Sequence, residues 1–180
     1  MAESNFEDHK NIEHASISAF CKRFFTDTKD FYWTISTCAN DEYSAYDILA
    51  IKYDRNGSRL AMKYVEIKNR NEMYDSFILE KQKWDRLKRE LVYFEKISSI
   101  YYANFINDKC VIFNLTKMQD SFNWEKRTYN YKTLSPELGK KEKYVTFLKV
   151  KDGLTIDLDY RPHLYIKKED HKKDKGLFDI

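Results

Sequence analysis

The segment Asp54-Arg55-Asn56-Gly57-Ser58 separates two runs of strand-forming residues, about Tyr46 to Tyr53 and Arg59 to Lys68. Asn-Gly in such a place is the strongest short-range signal for a β-hairpin. A hairpin constrains more than local shape, because its turn decides which residues oppose each other. With Asn56 and Gly57 at the turn centre, Arg55 faces Ser58, Tyr53 meets Leu60, Ile51 meets Met62 and Leu49 meets Tyr64. The next pair in that register is Asp47 with Glu66. Opposed residues share a face with Cβ atoms about 5 Å apart, and alternation places Lys68 on the same face. Three charged groups then end an otherwise apolar face. A three-residue turn with a glycine bulge would move the register by one.

The rest of the chain gives this hairpin a setting. Apolar residues Ile12, Ala15, Ala19 and Phe20 recur at helical intervals after Ser4-Asn5-Phe6-Glu7, which has capping-box spacing, so a first helix is expected over roughly 7 to 25. Glu13 sits at the N-terminal end of the stripe Ile17, Phe20, Phe24. The run Phe31 to Cys38 reads as a first strand, followed by a polar connection from Asn40 to Ser44. Ile48, Ala50, Val65 and Ile67 face one layer and Leu49, Ile51, Met62 and Tyr64 the other, so the sheet is expected to be covered on both sides. Trp84, Leu87, Leu91 and Phe94 mark a second helix starting near Glu80. Ile100 to Phe105 and Cys110 to Leu115 form a strand pair around Asn107-Asp108-Lys109, and Tyr144 to Val150 and Leu154 to Leu158 look like strands around Asp152-Gly153.

At 180 residues and 42% hydrophobic composition, one domain buries enough apolar surface to fold without staples. Three scattered cysteines, Cys21, Cys38 and Cys110, supply neither a disulfide framework nor a zinc spacing. No apolar run approaches a membrane span, and Met1-Ala2-Glu3-Ser4-Asn5 lacks the regions of a signal peptide, so a cytoplasmic location is expected. The net charge of +3 is modest, but from Lys126 to Lys151 eight basic residues stand against Glu137 and Glu142, a net +6. Tyr129, Tyr131, Tyr144 and Phe147 lie among them. That mixture suits a passing phosphate backbone; a solvated basic loop and strand edge explains it equally well.

The pattern acid, any residue, lysine occurs at Asp8, Asp27, Glu66 and Asp170, and only Glu66-Ile67-Lys68 ends an apolar strand whose partner offers another acid. Two opposed acids repel without a cation. An exposed sheet edge on which Lys68 pairs with either acid is the plainer alternative. With Asp47 after Tyr46, Glu66-Ile67-Lys68 closing the next strand, and Glu13 on the preceding helix, residues 7 to 117 resemble the PD-(D/E)xK nuclease superfamily, the fold of many restriction enzymes, Holliday-junction resolvases and small phage nucleases. Tyr46 stands where the named motif has proline.

The resemblance implies a mixed α/β (α+β) domain with a restriction-endonuclease-like core, a central mixed β-sheet flanked by helices in the order αβββαβ. Residues 1–166 would form it, and 167–180 a charged tail. It implies a Mg²⁺- or Mn²⁺-dependent deoxyribonuclease. Asp47, Glu66 and the backbone carbonyl of Ile67 would hold the metal, Lys68 would stand beside the attacking water, and Glu13 would touch a metal-bound water or a second ion. An ordinary hydrogen bond at a helix end explains Glu13 as readily. The resemblance also suggests a further basic or polar residue on the second helix, where Lys81, Gln82 and Lys83 are available and Lys83 borders the apolar face through Leu87. Asn69, Arg70, Lys126, Arg127, Lys140, Lys141 and Lys143 are the candidate DNA contacts, and a homodimer is a further expectation from the family.

The groups themselves suit such chemistry. Hydrolysis of an anionic phosphodiester needs a cation that polarises the phosphoryl oxygen and makes a nucleophile of water near neutral pH. Carboxylate oxygens suit Mg²⁺, which keeps several waters and takes one or two protein acids. Lys68, flanked by acids, is expected to stay charged and act electrostatically. His9, His14, His163 and His171 lack ligand spacing, Arg161-Pro162-His163 falls in no recognisable element, and Asp157 and Asp159 read as solvent-facing strand acids. No Gly-rich phosphate loop or serine elbow is present. Cutting that is structure-specific or weakly sequence-specific is expected; a non-catalytic nucleic-acid- or protein-binding domain on the same fold is the alternative.

Overall fold

The computed structural model describes residues 3–38, 44–91, 97–132 and 135–158, without the side chains of 3–10 and 130–139. In chain order the elements are α1 (Glu3–Phe24), β1 (Phe31–Thr37), β2 (Ile48–Asp54), β3 (Arg59–Arg70), β4 (Ser76–Glu80), α2 (Lys81–Glu90), β5 (Ser98–Ile106), β6 (Lys109–Asn114), the single turn α3 (Leu115–Met118), β7 (Glu125–Lys132), β8 (Ser135–Lys149) and β9 (Leu154–Asp157). None of the described helices is long and apolar enough to cross a membrane.

The hairpin forms between β2 and β3, but through a different turn from the expected one. The Gly57 N–H donates to the Asp54 carbonyl at 3.1 Å and the Asp54 N–H to the Ser58 carbonyl at 2.9 Å. Three residues, Arg55, Asn56 and Gly57, therefore form the loop, with Gly57 at φ 85°, where a side chain would be strained. Asp54 Oδ1 accepts from the backbone N–H groups of Asn56 (2.9 Å) and Ser58 (2.7 Å), which holds the turn. Tyr53 consequently pairs with Arg59, not Leu60. A bulge at Leu60 then brings Lys52 to Ala61, and Ile51–Met62, Leu49–Tyr64 and Ile48–Val65 pair as the shorter turn would have paired them. Two one-residue departures cancel. The ladder stops at Ile48–Val65, so Asp47 is not the ladder partner of Glu66; its N–H bonds to the Val65 carbonyl at 2.9 Å.

The central sheet has six strands in the order β1-β2-β3-β5-β6-β9. It is mixed, because β3 and β5 run parallel while the other neighbours are antiparallel. The parallel pair needs a crossover, and β4 with α2 supplies it. On one face α1 places Ile17 and Phe20 against Ile48, Val65, Ala103 and Phe105. On the other, Met62, Tyr64 and Ile100 pack with Trp84 and Leu87 of α2 and with Phe77, Leu79 and Leu148. Both faces are covered. Burying each large apolar side chain contributes roughly 1.5–3 kcal/mol relative to exposure.

The second face departs from the expected plan of flanking helices alone. Phe77, Leu79 and Leu148 belong to a separate three-stranded sheet, β4-β8-β7, that lies with α2 over the central one. Consequently Tyr144–Val150 and Leu154–Leu158 are not a hairpin: β8 joins this second sheet, while β9 closes the edge of the first against β6. Gly153 lies between them, and a Cβ there would sit 2.8 Å from the Phe113 ring. At the other end α1 begins at Glu3, so Ser4 lies inside the helix instead of capping it. Lys109 is already in β6, leaving a two-residue turn with Asn107 at φ 52°. The 40–43 connection, Phe94, Asp159, Arg161-Pro162-His163, the domain limit at 166 and the 167–180 tail lie outside the described residues.

Candidate functional site

Alternation along β3 puts Met62 and Tyr64 into the second-face core and then Glu66, Lys68 and Arg70 on that same face beyond it. Glu66 is completely buried, at 0% exposure. An exposed sheet-edge pair is thereby excluded. Lys68 Nζ lies 2.5 Å from Glu66 Oε1 and Lys83 Nζ 2.6 Å from Oε2, so each carboxylate oxygen faces one ammonium. These contacts are close enough for ion pairing, yet neither oxygen receives an aligned hydrogen bond. Lys83 comes from α2, one turn before the buried Leu87, and the helix is therefore what seals the acid. Lys81 turns away to Asp85 at 2.8 Å, on the exposed side.

Asp47 joins this group from the end of β2. Its Oδ2 accepts from the Ile67 N–H at 2.5 Å, so the carboxylate reaches the β3 backbone beside Glu66. Burial first, then the Glu66 charge, push its carboxyl up to about 7 from 3.8; Lys68 and the Ile67 hydrogen bond oppose that rise, and Glu13 adds slightly to it. Glu13 is thus near enough to be felt electrostatically, from the α1 side. For Lys68, burial alone would lower the ammonium, but the charges of Glu66, Tyr102 and Asp47, Glu66 in close contact, outweigh it and raise the group above its ordinary value. Lys68 stays charged.

Among the described residues no three His, Cys, Asp or Glu side chains gather as a ready ligand set. The donors nonetheless fit a hard divalent cation. Both Glu66 oxygens are buried without an aligned hydrogen bond, and the desolvated Asp47 gains from any positive charge placed beside it. Two acids suffice for an ion that keeps much of its water.

Neighbouring residues that the sequence did not single out complete the site. Tyr102 and Asn104 on β5 lie beside Glu66 and Lys68 in the parallel register. Arg70 donates to Asn104 Oδ1 at 3.2 Å and to the Tyr102 hydroxyl at 2.9 Å, and that hydroxyl donates to the Ile78 carbonyl at 3.2 Å. The chain of contacts ties both sheets together beside the acids. An asparagine at an inward position of an apolar strand was the available signal, since buried amides need partners. A cleft of about 600 Å³ opens here, with Glu66, Lys68 and Arg70 on its floor and Arg86, Tyr129 and Lys143 among its walls.

The expected DNA contacts separate. Arg70 and Lys143 line this cleft and Lys141 an adjoining one. Alternation sends Asn69 to the opposite face, where its Oδ1 accepts from Ser16 of α1 at 2.7 Å. Lys126 pairs with Glu142 at 2.6 Å and Arg127 with Glu125 at 2.9 Å, on β7 and β8, and Lys140 is exposed. Asp157 pairs with Lys109 at 3.1 Å, a surface contact. His14 is exposed.

No family model matches the chain, and no curated protein matches it. Among solved structures it is similar to Hjc, a Holliday junction resolvase from the archaeal hyperthermophile Archaeoglobus fulgidus, at 18% identity and a TM-score of 0.39, over 68% of this chain and 80% of that one.

Proposed function

We propose that the chain is a divalent-metal-dependent nuclease that hydrolyses phosphodiester bonds in DNA, acting on structure or with weak sequence preference. The observation that carries this reading is Glu66, fully buried between the ammonium groups of Lys68 and Lys83 with Asp47 beside it. A carboxylate needed only for packing is poorly placed there, because removing an ion from water costs several kcal/mol and an apolar side chain would serve better. Asp47 and Glu66 would hold Mg²⁺ or Mn²⁺, with the Ile67 carbonyl added by resemblance to the PD-(D/E)xK nucleases. Bound there, the ion supplies Lewis acidity and lowers the pKa of water. Lys68, held charged, donates to the attacking water or to the phosphoryl oxygens instead of acting as a base. Lys83 is the second donor, and Arg70, steadied by Tyr102 and Asn104, holds an adjacent phosphate. Action in the cytoplasm and as a homodimer belongs to the same reading.

The test is incubation with supercoiled, linear, single-stranded and branched DNA, in Mg²⁺ or EDTA, beside Lys68→Ala. Metal-dependent cutting of at least one substrate, lost in the variant, is expected; equal cutting by both proteins rejects the assignment. One observation favours a non-catalytic nucleic-acid- or protein-binding domain: both Glu66 oxygens already face ammonium groups. Calorimetric titration with Mn²⁺ separates the two readings, since only a working centre binds it and loses it in Glu66→Ala.

A further inference from the structure

The cleft above Glu66 does not end at the acids. A second cavity of about 600 Å³ adjoins it, and Glu80, Gln82, Arg86 and Lys143 line both. Together they make one groove between α2 and the β7–β8 hairpin, running from Glu66 and Lys68 outward to Arg89 and Lys141. Its lining carries eight cations, Lys68, Arg70, Lys81, Lys83, Arg86, Arg89, Lys141 and Lys143, against four acids, Glu66, Glu80, Asp85 and Glu142. The net charge is +4, so the groove suits a polyanion. Aromatic faces accompany the charge: Tyr129 lines the inner cavity and Tyr144, 54% exposed, the outer.

The walls limit what kind of polyanion fits. The inner cavity has the central sheet on one side, α2 on a second and the β4-β8-β7 sheet on a third. Sites of roughly 300–1,000 Å³ hold small molecules, so this one has room for about one or two nucleotides. A duplex keeps its bases stacked and paired inside, so only a strand separated from its partner brings a base, and not just a phosphate, into a space of this size between the two sheets. Cations and aromatic faces along one groove are the physical basis of binding one unpaired strand.

We infer that a single nucleic-acid strand threads between α2 and the β7–β8 hairpin, Tyr129 stacking on a base while Arg86 and Lys143 hold the phosphates that lead to Glu66. This deepens the nuclease reading and rests on it for what happens at the acids, but strand binding itself needs no metal.

The test is fluorescence anisotropy in EDTA, with labelled DNA and RNA strands of about 16 nucleotides and the blunt DNA duplex of the same sequence. Wild type is compared with Tyr129→Ala, Tyr129→Phe and Lys143→Ala, and with Lys109→Ala on the distant β6–β9 edge as control, each checked by thermal melting. Wild type should bind one or both single strands at least ~10-fold more tightly than the duplex. Tyr129→Ala and Lys143→Ala should each lose roughly 10-fold for the strand, the order of one stacked base, while Tyr129→Phe and Lys109→Ala keep it. The DNA and RNA arms identify the sugar that is accepted. A duplex bound as tightly as the strands, or strand affinity unchanged in both cleft variants, overturns threading. Metal-dependent cutting alongside duplex preference sinks threading alone; strand preference without cutting on any DNA sinks the nuclease reading alone.

Discussion

Glu66 and Asp47 are acids in surroundings that suit acids poorly, and each makes a measurable prediction. Lys83 is 24% exposed and its partner fully buried, so Lys83→Met leaves a carboxylate oxygen with no counter-charge and no water. That change should destabilise the fold by about 1–3 kcal/mol, whereas Lys81→Met, whose partner Asp85 is exposed, should cost under about 1 kcal/mol. Equal effects in urea unfolding would deny Lys83 its sealing role. Asp47 gives a pH signature. Its carboxyl titrates near 7 in the folded protein against 3.8 ordinarily, so between those values the folded state binds the extra proton. Its contribution to stability is therefore full below about pH 4 and lost as pH rises through about 7. Without metal, Asp47→Asn should melt higher than wild type at pH 8 and lose the advantage by pH 4, at about 2–4 °C per kcal/mol. Mn²⁺ should remove the difference by stabilising the ionised wild type.

At the scale of elements, the hairpin turn is where one backbone angle controls the site. Gly57 at φ 85° has open space around it, so Gly57→Ala tests conformation without a clash. It should cost about 1 kcal/mol, and Asp54→Ala, which removes the acceptor for two backbone N–H groups, a similar amount; no change in either melting curve would contradict the turn described. The hairpin also shows how far the sequence could be read. Asn56-Gly57 announces the reversal, and period-two apolar residues in β2 and β3 announce which side chains share a face, because burial on both faces leaves little choice of register. The pairing Leu49–Tyr64 was legible for that reason although the turn was not: the choice between a two- and three-residue loop depends on a φ value that Asn-Gly permits in both. The second sheet was illegible. β4 is five residues long and buried only at alternate positions, and β7 and β8 mix lysines with aromatic residues, so their partners are set by a fold that periodicity does not reveal. With that sheet unseen, neither the cleft nor the places of Tyr102, Asn104, Arg86 and Tyr129 could be assigned. Lys83 was within reach, because its spacing to Leu87 places it on the buried side of α2.

Among the described residues the two sheets are held together by one shared apolar cluster, and the cleft is the gap they leave beside it. Phe77 of β4 meets Phe113 of β6 with ring centroids 6.1 Å apart and nearly edge-on, and Leu148 packs in the same cluster. Phe77→Ala should cost about 3–5 kcal/mol. It should also speed amide exchange in β4 and β8 before β3 and β5, since the second sheet would loosen from a central sheet still packed on α1. Uniform acceleration in both sheets would show that they unfold as one unit. Association with nucleic acid should depend on salt in proportion to the phosphates engaged, with log K falling against log salt by about 0.7 per phosphate for a single strand. Lys143→Ala should flatten that slope by about one phosphate's share.

Leu60, 46% exposed and unpaired in the ladder, gives the chain one residue of slack between its turn and its acids. Excising it should straighten the strand and leave every pairing from Lys52–Ala61 onward intact. Where that slack is not taken up, excising one residue between Ala61 and Val65 would swing Glu66 and Lys68 together toward α1 and leave Lys83 of α2 facing an apolar neighbour. Insertions and deletions, more than substitutions, are therefore the changes to which this site is most unequally exposed.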